Sequence, residues 1–208
     1  MKGHLFLYII WLYVNCCFNV FQAQNNQNNG MLSLGLRSTI STFSHENTGL
    51  GTGGQFRIRL SPRVNTDWYF DYILSNDGQI RSLYYHIGWS VLYYPFQFED
   101  KVNSIQPYIL AGHCFDYNRK AIIENGLKAE RFGSAVQAGI GAHYFIDQWF
   151  DISLTTQYMT HLTSSIEVNE THGIKNFQRS KHGFEGHLLI TLSINYKLAK
   201  LWGSKISQ

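Results

Sequence analysis

Residues 186–198 read Gly-His-Leu-Leu-Ile-Thr-Leu-Ser-Ile-Asn-Tyr-Lys-Leu. From Leu188 onward every second residue is apolar (Leu188, Ile190, Leu192, Ile194, Tyr196, Leu198). The intervening set, His187, Leu189, Thr191, Ser193, Asn195 and Lys197, is polar except for Leu189. Successive side chains of an extended chain point to opposite sides, so a period of two residues writes a strand with one apolar and one wet face. At about ten residues or more, such a strand crosses a bilayer when tilted.

The same alternation recurs seven times upstream. It predicts strands over 31–43, 53–64, 67–75, 80–96, 105–118, 131–145, 149–161 and 184–198, eight in all. In the second, Phe56, Ile58 and Leu60 oppose Gln55, Arg57, Arg59 and Ser61. In the third, Trp68, Phe70, Tyr72 and Leu74 oppose Tyr69, Asp71 and Ile73. The fourth sets Leu83, Tyr85, Ile87, Trp89, Val91 and Tyr93 against Ser82, Tyr84, His86, Gly88 and Ser90. The sixth sets Val136, Ala138, Ile140, Ala142 and Tyr144 against Gly133, Ala135, Gln137, Gly139, Gly141 and His143. The seventh sets Phe150, Ile152, Leu154, Thr156 and Tyr158 against Asp151, Ser153, Thr155, Gln157 and His161. In 105–118 neither parity is consistently apolar, and its faces stay unassigned.

Connection lengths carry a second signal. The connections 61–66, 97–104 and 146–148 are short, whereas 120–130 and 162–183 are long and polar. Short periplasmic turns opposite longer outer loops are the asymmetry of a membrane barrel. The first and third connections, 45–52 and 76–79, are outer loops on this count although they too are short.

Before the strands, residues 1–23 have the form of a signal peptide. Lys2 and His4 precede an apolar run from Leu5 to Val14, and Ala23 supplies a cleavage point. That run is too short to span a membrane as a helix. Residues 24–29, all Gln and Asn, read as a disordered polar leader. The barrel occupies 30–198, and 199–208 form a C-terminal tail. With the signal removed Cys114 is the only cysteine, so no intrachain disulfide supports the fold and an inert, packed thiol is expected.

The chain of 208 residues carries 17 Lys+Arg against 14 Asp+Glu, a net charge of +3, with no basic run. Nucleic acid is therefore not an expected partner. A soluble, lipocalin-like barrel would show the same alternation with its apolar residues turned inward. Three features favour the membrane version. Charges of both signs (Arg57, Arg59, Asp71, Asp151, Lys197) share the polar parity. Aromatics gather near strand ends as Tyr93, Tyr94, Phe96, Tyr144, Phe145, Trp149, Phe150 and Tyr196, as in an aromatic girdle. The signal peptide requires export, and closing the sheet removes edges that lipid cannot satisfy. The fold class is thus all-β, an eight-stranded antiparallel up-and-down transmembrane β-barrel.

Gln106-Pro107-Tyr108-Ile109-Leu110-Ala111-Gly112, the glycine-spaced stretch from Gln137 to Phe145, and the last strand ending Tyr196-Lys197-Leu198 resemble the small outer-membrane β-barrel proteins of OmpA/OmpX type, often called porin-like. The resemblance covers nearly all of 30–198. One departure is that ten residues follow Leu198, where that family's chain usually stops at an aromatic. The resemblance implies a cell outer membrane of Gram-negative type, reached through the periplasm. It implies a structural, anchoring or surface-interaction role without a wide channel. The implied partners are outer-membrane lipids and lipopolysaccharide, with barrel-assembly machinery during insertion, and the implied state is a monomer.

No catalytic, cofactor-binding or metal-ligating residue is assigned, and a non-enzyme is expected. An eight-stranded barrel is filled by its own side chains, and Arg57 and Arg59 are expected to pair with Asp71 inside it. Three alternatives remain. One is a narrow pore. Another is a metal site made by His143, His161 and His187. The third rests on a thin resemblance to outer-membrane lipid A deacylases: His161 precedes Thr163, Ser164 and Ser165, and Glu167 or Glu170 would orient the imidazole.

Overall fold

The computed structural model describes residues 29–43, 48–96, 101–164, 166–171, 174–179 and 186–202. The signal peptide, the leader as far as residue 28 and the tail from residue 203 lie outside these. Among the described residues the chain forms ten strands: β1 (Met31–Phe43), β2 (Gly49–Ser61), β3 (Val64–Asn76), β4 (Ile80–Tyr93), β5 (Ile105–Ile122), β6 (Lys128–Phe145), β7 (Phe150–His161), β8 (Ile166–Thr171), β9 (Ile174–Arg179) and β10 (Gly186–Lys200). Eight of them close into one antiparallel barrel in the order β1, β10, β7, β6, β5, β4, β3, β2. Closure is made by β1 on β10, from Met31 opposite Lys200 to Phe43 opposite His187, with one register shift between Leu32 and Ser33.

The facing of the side chains separates the membrane barrel from the soluble one. Leu36 is 77% and Phe132 79% exposed, while Asp71 and His86 on neighbouring strands are 0% exposed. Apolar groups point out and charges point in, the reverse of a lipocalin-like interior. The strand β5, unreadable from its sequence, follows the rule once its neighbours fix it. Gln106, Tyr108, Leu110, Cys114, Asp116, Asn118, Lys120 and Ile122 point inward. Its inner face mixes apolar and polar groups, which hid the period.

Turn chemistry explains three of the connections. Ser61 pairs with Val64, leaving Pro62 and Arg63 as a two-residue turn, where the fixed proline φ suits the first turn position. The β6–β7 turn is held by Asp147, whose carboxylate accepts the N–H groups of Trp149 and Phe150 at 2.6 and 2.7 Å. In β3–β4, Asn76 accepts from Gly78 N at 3.0 Å and Asp77 from Gln79 N at 2.8 Å. Gly78 there has φ +85°, a conformation that disfavours a side chain.

Three expectations are corrected. The stretch 162–183 is not a plain loop, because β8 and β9 pair as a separate hairpin from Ile166 opposite Arg179 to Thr171 opposite Ile174. Lys120 Nζ donates to Ile166 O at 3.0 Å, Asn125 to Lys175 O at 3.0 Å and Lys175 Nζ to Gln79 at 2.7 Å, so the hairpin is tied to β5 and to the β5–β6 and β3–β4 turns. Next, Tyr94 and Phe145 do not join an aromatic girdle, since both point inward and are buried. Tyr93, Tyr144, Trp149, Phe150 and Tyr196 do face outward, with Phe150 and Tyr196 at 5.1 Å between ring centres. Finally, β10 runs to Lys200, two residues past the expected end, and Leu201 N donates to Gly30 O at 2.8 Å.

Candidate functional site

Closing eight strands turns every inward residue toward one narrow axis, and the charges there neutralise one another. At the end with the short turns, Arg57 is 2.8 Å from Asp67 and 3.2 Å from Asp151. Ser153 and Asn195 join them, and His143 bridges Ser153 at 2.6 Å to Tyr94 at 2.8 Å. Asp71 pairs with Arg37 at 2.9 Å and not with Arg57 or Arg59. The expected partner was wrong because register places Gly53 between Arg37 and Asp71, and the absent side chain lets the Asp71 carboxylate lie within 2.7 Å of where a Cβ would stand, so the two meet across it. Arg37 also lies 4.3 Å over the Tyr69 ring, whose hydroxyl donates to Gln137 at 2.6 Å. Pairing and hydrogen bonding offset the desolvation that isolated buried charges would suffer.

A second group lies toward the end that bears the β8–β9 hairpin. Asp116 sits 2.8 Å from Arg131 and 3.1 Å from His161 Nδ1. His161 Nε2 is 3.2 Å from His187 Nδ1, and His86 stacks on His187 with ring centres 5.7 Å apart. Gly133 makes this group possible, because a Cβ there would collide with Thr163 Oγ1 and come within 2.8 Å of Asp116 Oδ1. Cys114, Met159 and Leu189 pack as a fully buried apolar cluster with Ile73, Tyr69 and Tyr84.

These positions can be set against the sequence alternatives. His161 and His187 do come together, but His143 does not join them, being packed against Tyr94, Tyr108 and Phe145. Among the described residues no group of three or more His, Cys, Asp or Glu has the arrangement to hold a metal ion. For the hydrolase alternative, the carboxylate beside His161 is Asp116 of β5, a residue the sequence reading did not weigh. Both imidazole nitrogens face buried side chains. Ser164 is exposed, and its carbonyl accepts from Arg131 at 3.2 Å. Glu167 is exposed on β8, whereas Ser165 and the Glu170 side chain lie outside the described residues. No contact between a hydroxyl and His161 is formed among the described residues.

Among the described residues, voids of about 20 Å³ lie in the lumen beside Arg57 and beside Arg37. Each has room for about one water molecule. Sequence reasoning placed His86 in the lumen but missed Arg37, Asp116 and Arg131 as members of these networks. Arg37 and His86 meet partners on strands that are not their sequence neighbours, and Arg131 meets Asp116 across the β5–β6 pairing, so each contact depends on register.

No known family's sequence profile matches the chain, and no curated protein matches it by sequence. Solved structures do. Neisserial surface protein A matches with a TM-score of 0.58 at 10% identity, over 81% of this chain and 96% of that one. The outer membrane protein OprG from Pseudomonas aeruginosa matches with a TM-score of 0.54 at 10% identity, over 85% and 99%. The outer membrane protein AlkL, solved in lipid bilayers, matches with a TM-score of 0.52 at 9% identity, over 86% and 95%. At such identities the likeness is one of fold, and the fold is that of small eight-stranded outer-membrane barrels.

Proposed function

We propose that the chain resides in a Gram-negative outer membrane, the β8–β9 hairpin on the cell exterior, and serves a structural, anchoring or surface-interaction role. The observation that carries this reading is the inverted barrel: an apolar outer surface wraps an ion-paired interior, and the voids beside Arg57 and Arg37 each have room for about one water. Such an interior gives a rigid peg in lipid. The part free to meet other molecules is then the hairpin end, where exposed Glu167, Asn169, Asn176, Gln178 and Arg179 stand on a braced two-stranded support.

The test has two arms. Fractionated cells should carry the protein in the outer membrane, and the unheated protein should run ahead of the heated one on a gel. In planar bilayers the purified barrel should give no steady conductance above the lipid background. Stable, stepwise ion currents would replace this reading with the narrow pore.

A further inference from the structure

Along the outward face of β3 to β6, the pairing aligns Tyr72 with Tyr85, Tyr85 with Tyr117, and Tyr117 with Phe132. Their ring centres are 5.2, 5.8 and 4.7 Å apart, a continuous aromatic row. Aromatic rows of this kind settle at the boundary between hydrocarbon and headgroups. Two residues beyond it on β5, roughly 7 Å further along the strand, stands Arg119. The next row brings Arg81 opposite Ala121 and Ala121 opposite Lys128. The small Ala121 between two long cations leaves a recess of about 720 Å³, walled by Tyr72, Leu74 and Leu83 on its apolar side and by Arg81, Arg119 and Lys128 on its charged side.

We propose that this recess docks the phosphate groups of an outer-leaflet glycolipid of the lipopolysaccharide class. The inference rests on the outer-membrane orientation proposed above. Three observations carry it. Among the described residues the cations are unevenly distributed: at the hairpin end the outward residues of β1, β2, β7 and β10 are Ile40, Thr42, Leu50, Thr52, Tyr158, Thr160 and Leu188, none of them charged. Arg81 and Lys128 form no ion pair among the described residues, and Arg119 has only Glu130 at 3.6 Å. The nearby Asp77 is taken up by the N–H groups of Gln79 and Ile80. Apart from Ser75, the residues lining the recess belong to the outward parity of β3 to β6, and its apolar wall includes Tyr72 of the aromatic row. A ligand with phosphates above and acyl chains below meets both walls at once, which a soluble anion cannot do. Planar guanidinium groups grip phosphate oxygens in pairs, and Lys128 adds a point charge.

The test titrates the full-length barrel, folded in detergent, with bisphosphorylated lipid A and counts bound lipid by native mass spectrometry. Only preparations with the fast-migrating folded band enter the titration, so failure of the barrel reading shows on the gel and failure of the site shows in the lipid count. The triple variant Arg81→Ser, Arg119→Ser, Lys128→Ser should lower affinity at least about tenfold. Dephosphorylated lipid A should bind the wild type no better than the phosphorylated lipid binds the triple variant. Lys101→Ser with Lys200→Ser, at the opposite end of the barrel, should change nothing. Should the triple variant misfold, Ala121→Trp fills the recess with all charges kept and should give the same loss. Equal binding by wild type and variants, or equal binding of the two lipids, overturns the proposal. So does full competition by millimolar inorganic phosphate, which would mark a site for a soluble anion.

Discussion

At the scale of single residues the side a residue faces decides what it tolerates. Leu192 is half exposed on the outer face, opposite Ser38 on one neighbour and Leu154 on the other. Leu192→Arg is expected to cost about 2–4 kcal/mol if it lies near the bilayer midplane, read from urea unfolding in lipid vesicles, while Leu192→Val stays near wild type. Asp71→Ala acts from inside, leaving the Arg37 guanidinium buried without its carboxylate, and is expected to cost about 3–5 kcal/mol in the same assay. Near-wild-type stability of that variant would mean that Arg37 finds another partner or water. At the hairpin end, His161→Ala is expected to leave the lipid A of expressing cells unaltered by mass spectrometry. An acyl chain that is removed only when His161 is present would instead make the buried Asp116–His161 pair part of a hydrolase. The outward alternation of such residues was legible in the sequence. Their inward partners were not, because an ion pair such as Arg37–Asp71 depends on register and on the space left by Gly53.

The elements were legible in proportion to how cleanly each strand separates its faces. In β3, β4, β7 and β10 one side is nearly all apolar, and the period alone fixed their facing. In β5 the inward Leu110, Cys114 and Ile122 break the polar parity, and in β2 the glycines at 49, 51, 53 and 54 carry no polarity to read, so the strand begins four residues before its alternation becomes legible. The hairpin β8–β9 was hidden because six-residue strands with a mixed composition resemble a polar loop. Its ties to Gln79, Lys120 and Asn125 predict an ordered, accessible projection. A membrane-impermeant thiol reagent applied to intact cells should label Asn169→Cys and spare Gln148→Cys in the β6–β7 turn. Labelling of position 148 but not 169 would turn the barrel over.

For the whole molecule, the distribution of polarity does the work that a hydrophobic core does in a soluble protein. The outer surface is stabilised by lipid, and the interior is held by hydrogen bonds and paired charges that fix one arrangement of side chains. The eight-stranded closed barrel follows from strand count and facing, both present in the sequence. The filling of the lumen emerges only when all eight strands are assembled, since each network draws on three or more of them. Closure of β1 on β10 has a kinetic counterpart. Hairpins between consecutive strands need only short loops to form, but the seam joins the first strand to the last, and Gly30 meets Leu201 there. Loop-closure entropy makes so distant a contact slow to form. Until β10 is delivered, the growing sheet therefore carries two unsatisfied edges that lipid cannot hydrate. Left uncovered, those edges disfavour an incomplete sheet in hydrocarbon, which couples insertion to closure of the β1–β10 seam.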